Sequence, residues 1–461
     1  MGLKESTKKT IKRYIKALSS IKIAVIVISS IAVLTAIGTI VEAKYDATAA
    51  QKLVYRSVWM YIIMGIFATN LIAVMVDRWP WQARHSSFIC AHVGILMIIV
   101  GQFVTGTYGL DGSVRVEIGK NNRFVTVPET DITIYSSFDG TNYSKMHEQE
   151  VDFFMKSPKK KPLVVQLDAP LEFFDYENYV IPSKQVQAST QPQVGSGLRF
   201  QMRNPNVNVV EWLVQRNPQT TASHDFGPAS IHLGTLPVIG RNRNEMYLQP
   251  DGEKLKYAVF NTRDKKPLKT GTAKEGDLIA TGWMNLEMRV LRYLPKAEET
   301  WEVTAREAPT PLTSPAVKLR YKGKEHWLLL NDTVKLFSDN SVYFVTYGNR
   351  RLDMGFPIQL KEFAIERYEG TNRPASYESI VEVPEQPPAK ISMNEPLKYN
   401  GLTIYQASFQ DGPGGQPIAS IFSVNYDPGR WLKYLGSIVM VLGIILLFYF
   451  RKRFQRKEVQ E

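Results

Sequence analysis

The run His85–Tyr108, HSSFICAHVGILMIIVGQFVTGTY, decides how the rest of the chain is read. From Phe88 to Val104 only His92 and Gln102 interrupt the apolar residues. As a helix rising about 1.5 Å per residue, this stretch crosses most of a hydrocarbon core. An imidazole there is costly unless it faces protein, water or a ligand, which marks His92 as a candidate site residue. On a helical wheel of about 100° per residue, Phe88, Leu96, Ile99 and Phe103 flank His92, while Gly94 and Gly101 fall on the opposite face. The glycine face reads as close packing against the chain's own helices, in the small-residue manner. The histidine face suits a flat apolar ligand that needs one axial nitrogen, such as haem. A histidine hydrogen-bonded between helices fits the same residues, and this span alone does not choose between the two.

Three further apolar runs stand beside it: Ile23–Val41, Val58–Val76 and Trp431–Phe450. Each is close to the roughly 20 residues that a membrane helix needs. The first exceeds the usual apolar region of a cleaved signal peptide, about 7–15 residues, and reads as a true span. The expected fold is an integral membrane protein with four transmembrane helices, three amino-terminal and one carboxyl-terminal. Between them lies a large all-β, sandwich-like outer domain. In residue numbers, 1–20 is a basic amphipathic arm, 21–108 a three-helix membrane region and 109–429 the β-rich domain, with a possible subdivision in 183–227. The last helix is 430–450 and a basic tail is 451–461.

The formal net charge of +12 is largely topological. Lys4, Lys8, Lys9, Lys12, Arg13 and Lys16 precede the first span, Arg78 and Arg84 lie in the short second loop, and Arg451, Lys452, Arg453, Arg456 and Lys457 follow the last span. Four spans put all three segments on one side, and positive-inside bias makes that side cytoplasmic. The outer domain is then extracytoplasmic, in the manner of a bacterial inner-membrane protein. Ile11, Tyr14, Ile15 and Leu18 sit at helical spacing among the lysines, as in an interfacial helix. Charge so placed argues for lipid rather than nucleic acid.

Within 109–429, short alternating runs separated by Gly, Pro, Asn and Asp argue antiparallel sheets with one wet face. They include VVEWLVQ from Val209, LEMRVLRYL from Leu286, SVYFVTYG from Ser341, IQLKEFAIERY from Ile358, LTIYQASF from Leu402 and IASIFSVNY from Ile418. Pro250–Glu253 and Lys322–Glu325 read as hairpin turns.

Catalytic constellations are absent from the sequence. The one cysteine, Cys90, lies in the third span, so the chain can form no internal disulfide and carries no Cys-x-x-Cys-His haem attachment site. Cys90 reads as a small packing residue. His147, His224, His232 and His326 are scattered without zinc spacing and read as surface or turn histidines. His85 lies seven residues before His92 and shares its face, about 10 Å nearer the cytoplasm. It reads either as a relay for a ligand or as a solvated interface residue. Asn70 reads as interhelical glue, and Trp79 and Trp81 as an interfacial belt.

Several stretches, taken in order, resemble the ResB/CcsB family of cytochrome c biogenesis proteins. They are Ser20–Val25, Asn70-Leu71 with Asp77–Pro80, His92–Leu96, and Gly109–Gly112. Phe356–Leu360 with Phe363–Tyr368, Met393–Leu397 and Gly401–Phe409 complete the series. The resemblance implies a subunit of the complex that delivers haem and ligates it to apocytochrome c. Haem b is the transported substrate, joined by thioether bonds to the thiols of a Cys-x-x-Cys-His segment. The implied partners are a separate CcsA/ResC membrane subunit, apocytochrome c, and thiol-reducing proteins that keep it reduced. The family's membrane histidine maps onto His92, which would be a haem axial ligand in a slot of Phe88, Leu96, Ile99 and Phe103. Tyr405, Gln406 and Phe409, close before the last span, are candidate docking residues for the partner. No metal other than haem iron is expected. This chain would be a non-catalytic or co-catalytic subunit of a haem lyase. A membrane-anchored structural or sensory protein, and a membrane-anchored enzyme with an outer β-domain, are the rival readings.

Overall fold

The computed structural model describes residues 2–138, 142–227, 229–237, 243–263, 265–339, 341–370, 373–412 and 416–458. The side chains of 1–9, of Ala83 and of 450–461 lie outside that description, and with them Lys4, Lys8 and Lys9 of the basic arm and all of the basic tail. Four helices are long and apolar enough to cross a membrane: Ile21–Lys44, Val58–Asp77, Ser86–Tyr108 and Arg430–Tyr449, the last continuing as helix to Glu458. The expected fold class, four such helices with a large β-sheet region, is borne out.

Local signals start and stop these helices. Ser20 Oγ accepts from Lys22 N at 3.3 Å, and Ser57 Oγ accepts from Met60 N at 3.3 Å, each filling an orphan donor of a first turn. The amphipathic helix Gly2–Leu18 ends where Asn70 Nδ2 donates to the Leu18 carbonyl at 2.6 Å. Asn70 is buried, so this bond satisfies its amide inside the helical layer and joins the second span to the arm, as read from the sequence.

The described chain divides into two compact units. The first comprises 1–128, 350–410 and 417–461 and contains all four apolar helices. Its strands run in the order Ala389–Ile391, Pro374–Glu382, 350–367, 121–128, Leu110–Glu117, Pro417–Tyr426, 402–410, Leu397–Tyr399. The two end strands are neighbours in the chain and are joined by a Ser392–Glu395 bridge, so the sheet curls back on itself. Inside the curl lies one core, including Val114, Val116, Phe356, Ile358, Leu360, Ile404 and Phe422. Strand Leu110–Glu117 begins two residues after the third apolar helix, and strand Pro417–Tyr426 ends just before the last. These two strands pair over Leu110↔Tyr426 to Glu117↔Ala419, so the ends of the two helices meet at one edge of this ladder.

The second unit comprises 129–349 and 411–416. Within it, the sheet of Gly197–Arg203, Asn208–Val214, Leu278–Ala280 and Glu287–Leu294 faces a five-stranded sheet spanning Ala222–Ala273. Phe200, Met202, Ile231, Leu233, Met246, Met288 and Val290 fill the space between them. Against the antiparallel expectation, Ala229–Leu233 runs parallel to Asn244–Leu248. A second core, including Ile132, Phe173, Leu319, Leu328 and Val345, lies under Pro170–Ala188 and Ser314–Tyr321. The hairpin turns fall where the sequence puts them. Lys322 and Gly323 have φ of 46° and 78°, and Gly252 has φ of 62°, the left-handed values that tight hairpins require.

Candidate functional site

The site grows from the short connection between the second and third apolar helices. The second helix ends at Asp77, where Trp81 Nε1 donates to the Met75 carbonyl at 2.9 Å. A single turn, Ala83–His85, precedes the third helix. His85 Nδ1 accepts from the backbone N–H of Gln82 at 3.3 Å, which gives this ring a turn-stabilising contact.

One helical turn on, the ring of Phe88 stacks on that of His92, centroid to centroid 3.8 Å and tilted 34°. On Phe88 also lies the guanidinium of Arg78, with Cζ 3.5 Å from the ring centroid. Arg78, Phe88 and His92 therefore form one column. In the sequence Arg78 is a topological charge within the Asp77–Pro80 stretch; the loop returns it to the third helix, a contact that no spacing rule reports.

His92 Nδ1 lies 2.8 Å from the backbone carbonyl of Phe88. A carbonyl can only accept, so Nδ1 carries the proton and, in the neutral ring, Nε2 keeps its lone pair. A second contact of this kind, to a backbone carbonyl or carboxylate, is what orients a histidine that binds metal. The hydrogen bond is to the residue's own helix, not to a neighbouring one. His92, Phe88, Leu96 and Ile99 are half-buried and Phe103 is exposed, so the face is open along the helix.

The opposite face is closed. Beside Gly94 stand the Gly436 carbonyl and Met440 backbone; beside Gly101 stand Gly429 and Lys433; beside Gly443 stands Ala91. Gly94 thus meets Gly436 and Gly101 meets Gly429, while Gly443 meets Ala91, a spacing of seven residues on both sides that brings the backbones together. Cys90 Sγ lies 3.4 Å from the Val439 carbonyl, part of the same contact. At the other end, Asp427 accepts from Thr105 Oγ1 at 2.5 Å and from Lys433 Nζ at 2.8 Å. Burial alone would raise the Asp427 carboxyl, but hydrogen bonds from Lys433 and Thr105, with the charges of Lys433 and Arg430, hold it below its ordinary value. This packing fixes the rotation of the third helix, with His92 about 200° around from Gly94.

The strand of Tyr405, Gln406 and Phe409 lies in the curled sheet. Gln406 is buried: it accepts from Ser379 Oγ at 2.6 Å and donates to Ser420 Oγ at 2.8 Å. Phe409 packs on Phe363 and Tyr377, with centroids 5.6 and 5.4 Å away, and Tyr405 is half-buried.

The outer histidines do not converge. His147 lies beside Gln149, and His224 packs on Phe226. His232 corrects the expectation of a surface residue: it is buried in strand Ala229–Leu233, with Nδ1 2.7 Å from Ser223 Oγ and its ring stacked on Tyr247. Its place on the covered face of a central strand was invisible without the sheet order. No group of three or more metal-binding side chains occurs among the described residues.

Residues 332–421 match the ResB-like family. Over 437 residues, 93% of this chain, the sequence is 22% identical to Protein NrfI of Wolinella succinogenes. The chain spans about a third (34%) of that curated relative's length. The resemblance drawn from the sequence is borne out by these two matches.

Proposed function

We propose that this chain is a membrane subunit of a complex that moves or receives haem and presents it for covalent attachment to apocytochrome c. The observation that carries the reading is the bond from His92 Nδ1 to the Phe88 carbonyl. It leaves Nε2 as a ligand on an open, apolar helix face, lined by Phe88, Leu96, Ile99 and Phe103. Haem b is the substrate held there, and its iron takes Nε2 as one axial ligand. The other ligand comes from the partner, a CcsA/ResC-type membrane subunit, because the third helix offers no second histidine at that depth. His85 sits lower, on the path a ligand would take from the cytoplasm.

The chemistry served is addition of the apocytochrome's Cys-x-x-Cys-His thiols across the haem vinyl groups. This chain holds and orients the haem, and the glycine-packed last helix keeps the His92 face turned outward. Tyr405, Gln406 and Phe409 belong to the partner-facing part of the β-region in this reading, with Gln406 bracing the strand from within. Thiol-reducing proteins supply the reduced apocytochrome. The termini are cytoplasmic and 109–429 is periplasmic, in a bacterial inner membrane. Reporter fusions at the carboxyl terminus and near Gly276 give signals from opposite sides in this arrangement, and same-side signals contradict it.

The test of function is the absorption spectrum of the purified full-length chain, with and without its membrane partner. A bound, histidine-ligated haem supports the reading. Absence of haem from both preparations favours a structural or sensory anchor.

A further inference from the structure

Arg78 has no assigned task beyond its charge, yet it occupies a defined position against the proposed haem ligand. Its guanidinium carbon lies 3.5 Å from the centroid of the Phe88 ring, and His92 stacks on the same ring. Arg78 is exposed, and no ion pair of Arg78 is found among the described residues. Stacking on an aromatic face holds a guanidinium by its plane and leaves its N–H donors free at the edge. Those donors form the fork that binds a carboxylate with two parallel hydrogen bonds.

We propose that Arg78 binds a propionate carboxylate of the haem held by His92, and so sets which edge of the porphyrin faces the cytoplasmic end of the helix. The inference rests on the His92 reading and adds to it a second anchor and an orientation. An axial imidazole stands perpendicular to the porphyrin plane. The direction in which His92 stacks on Phe88 therefore runs roughly parallel to that plane. Arg78 lies along that direction, one ring beyond the imidazole, where the edge of a porphyrin bound at Nε2 would extend. A macrocycle with a coordinating metal and carboxylates on one edge matches this pairing of one lone pair and one guanidinium. Phe88 then has two roles: it supports Arg78 and supplies the apolar wall between the two polar contacts.

The test uses the full-length chain in lipid nanodiscs, titrated with haemin and with haemin dimethyl ester, which keeps the iron and loses both carboxylates. Wild type, Arg78→Gln, Arg78→Lys and His92→Ala are compared. A charge-assisted hydrogen bond predicts that wild type binds haemin about tenfold more tightly than the ester. Arg78→Gln should lose that preference by weakening haemin alone, with the Soret band of the bound haemin unchanged. Arg78→Lys should keep part of it. Unaltered ester binding by Arg78→Gln also shows that the variant is folded. A wild type without preference for the free acid, or an Arg78→Gln variant that keeps the full preference, overturns the assignment and leaves Arg78 as a topological charge. The His92 reading fails separately, if His92→Ala leaves the Soret band unchanged. A wild type that binds neither ligand, alone or together with its membrane partner, overturns both.

Discussion

A Cβ on Gly429 would overlap the carbonyl oxygen of Gly101, so the last apolar helix meets the third backbone to backbone. A methyl group there cannot be absorbed by a flexible side chain, because the atom it meets is main chain. Gly429→Ala should force the helices apart and destabilise the pair by about 1–3 kcal/mol, the usual cost of overpacking. Gly65→Ala is the control, since nothing lies within 4 Å of its added Cβ. Thermal denaturation of the purified protein checks both. Equal melting temperatures for the two variants would contradict the packing described.

His326 gives a pH-dependent prediction. Burial lowers its pKa, the charge of Glu298 partly opposes this, and that of Lys324 adds to it. The unfolded chain, with a histidine pKa of about 6.5, therefore binds the proton more readily than the folded one. Stability contributed by neutral His326 is complete above about pH 6.5 and is lost as pH falls from there toward the folded pKa. His326→Gln should flatten the fall in melting temperature between about pH 7.5 and pH 5. Parallel curves for wild type and variant would show that His326 is not the group responsible.

Tyr405 and Phe409 test the proposed docking strand. Changing both to Ala should reduce the partner recovered with the purified chain. Gln406→Ala should instead lower thermal stability, by about 1–3 kcal/mol, because it removes the buried amide that bridges Ser379 and Ser420 and leaves those hydroxyls only their bond to each other. Unchanged complex yield with the double variant would remove the docking role.

The membrane part was legible because hydropathy is a property of contiguous residues. The four spans, the glycine face of the third and the role of Asn70 all followed from spacing along one helix. What spacing could not give were contacts made by chain return. Arg78 meets Phe88 only because a short loop turns back, and Gln406 is buried by Ser379 and Ser420 from other strands. The strand Val342–Arg367 reads in sequence as two runs, since Gly348–Gly355 breaks the alternation. In the structure the break is a local irregularity at Gly355, φ 83°, and the strand continues. Likewise the division into two units falls at Pro128, inside strand Asn121–Ser137, where no linker composition marks it.

The central claim is that His92 Nε2 ligates haem iron, and the absorption spectrum of the His92→Ala complex tests it most directly. The expected result is normal membrane insertion and partner recovery, no co-purifying haem with an imidazole-ligated Soret band, and no maturation of cytochrome c. His85→Ala should retain most of the bound haem, since that ring serves a turn at the interface. A His92→Ala complex that purifies with a full and spectrally unchanged haem complement would contradict the account.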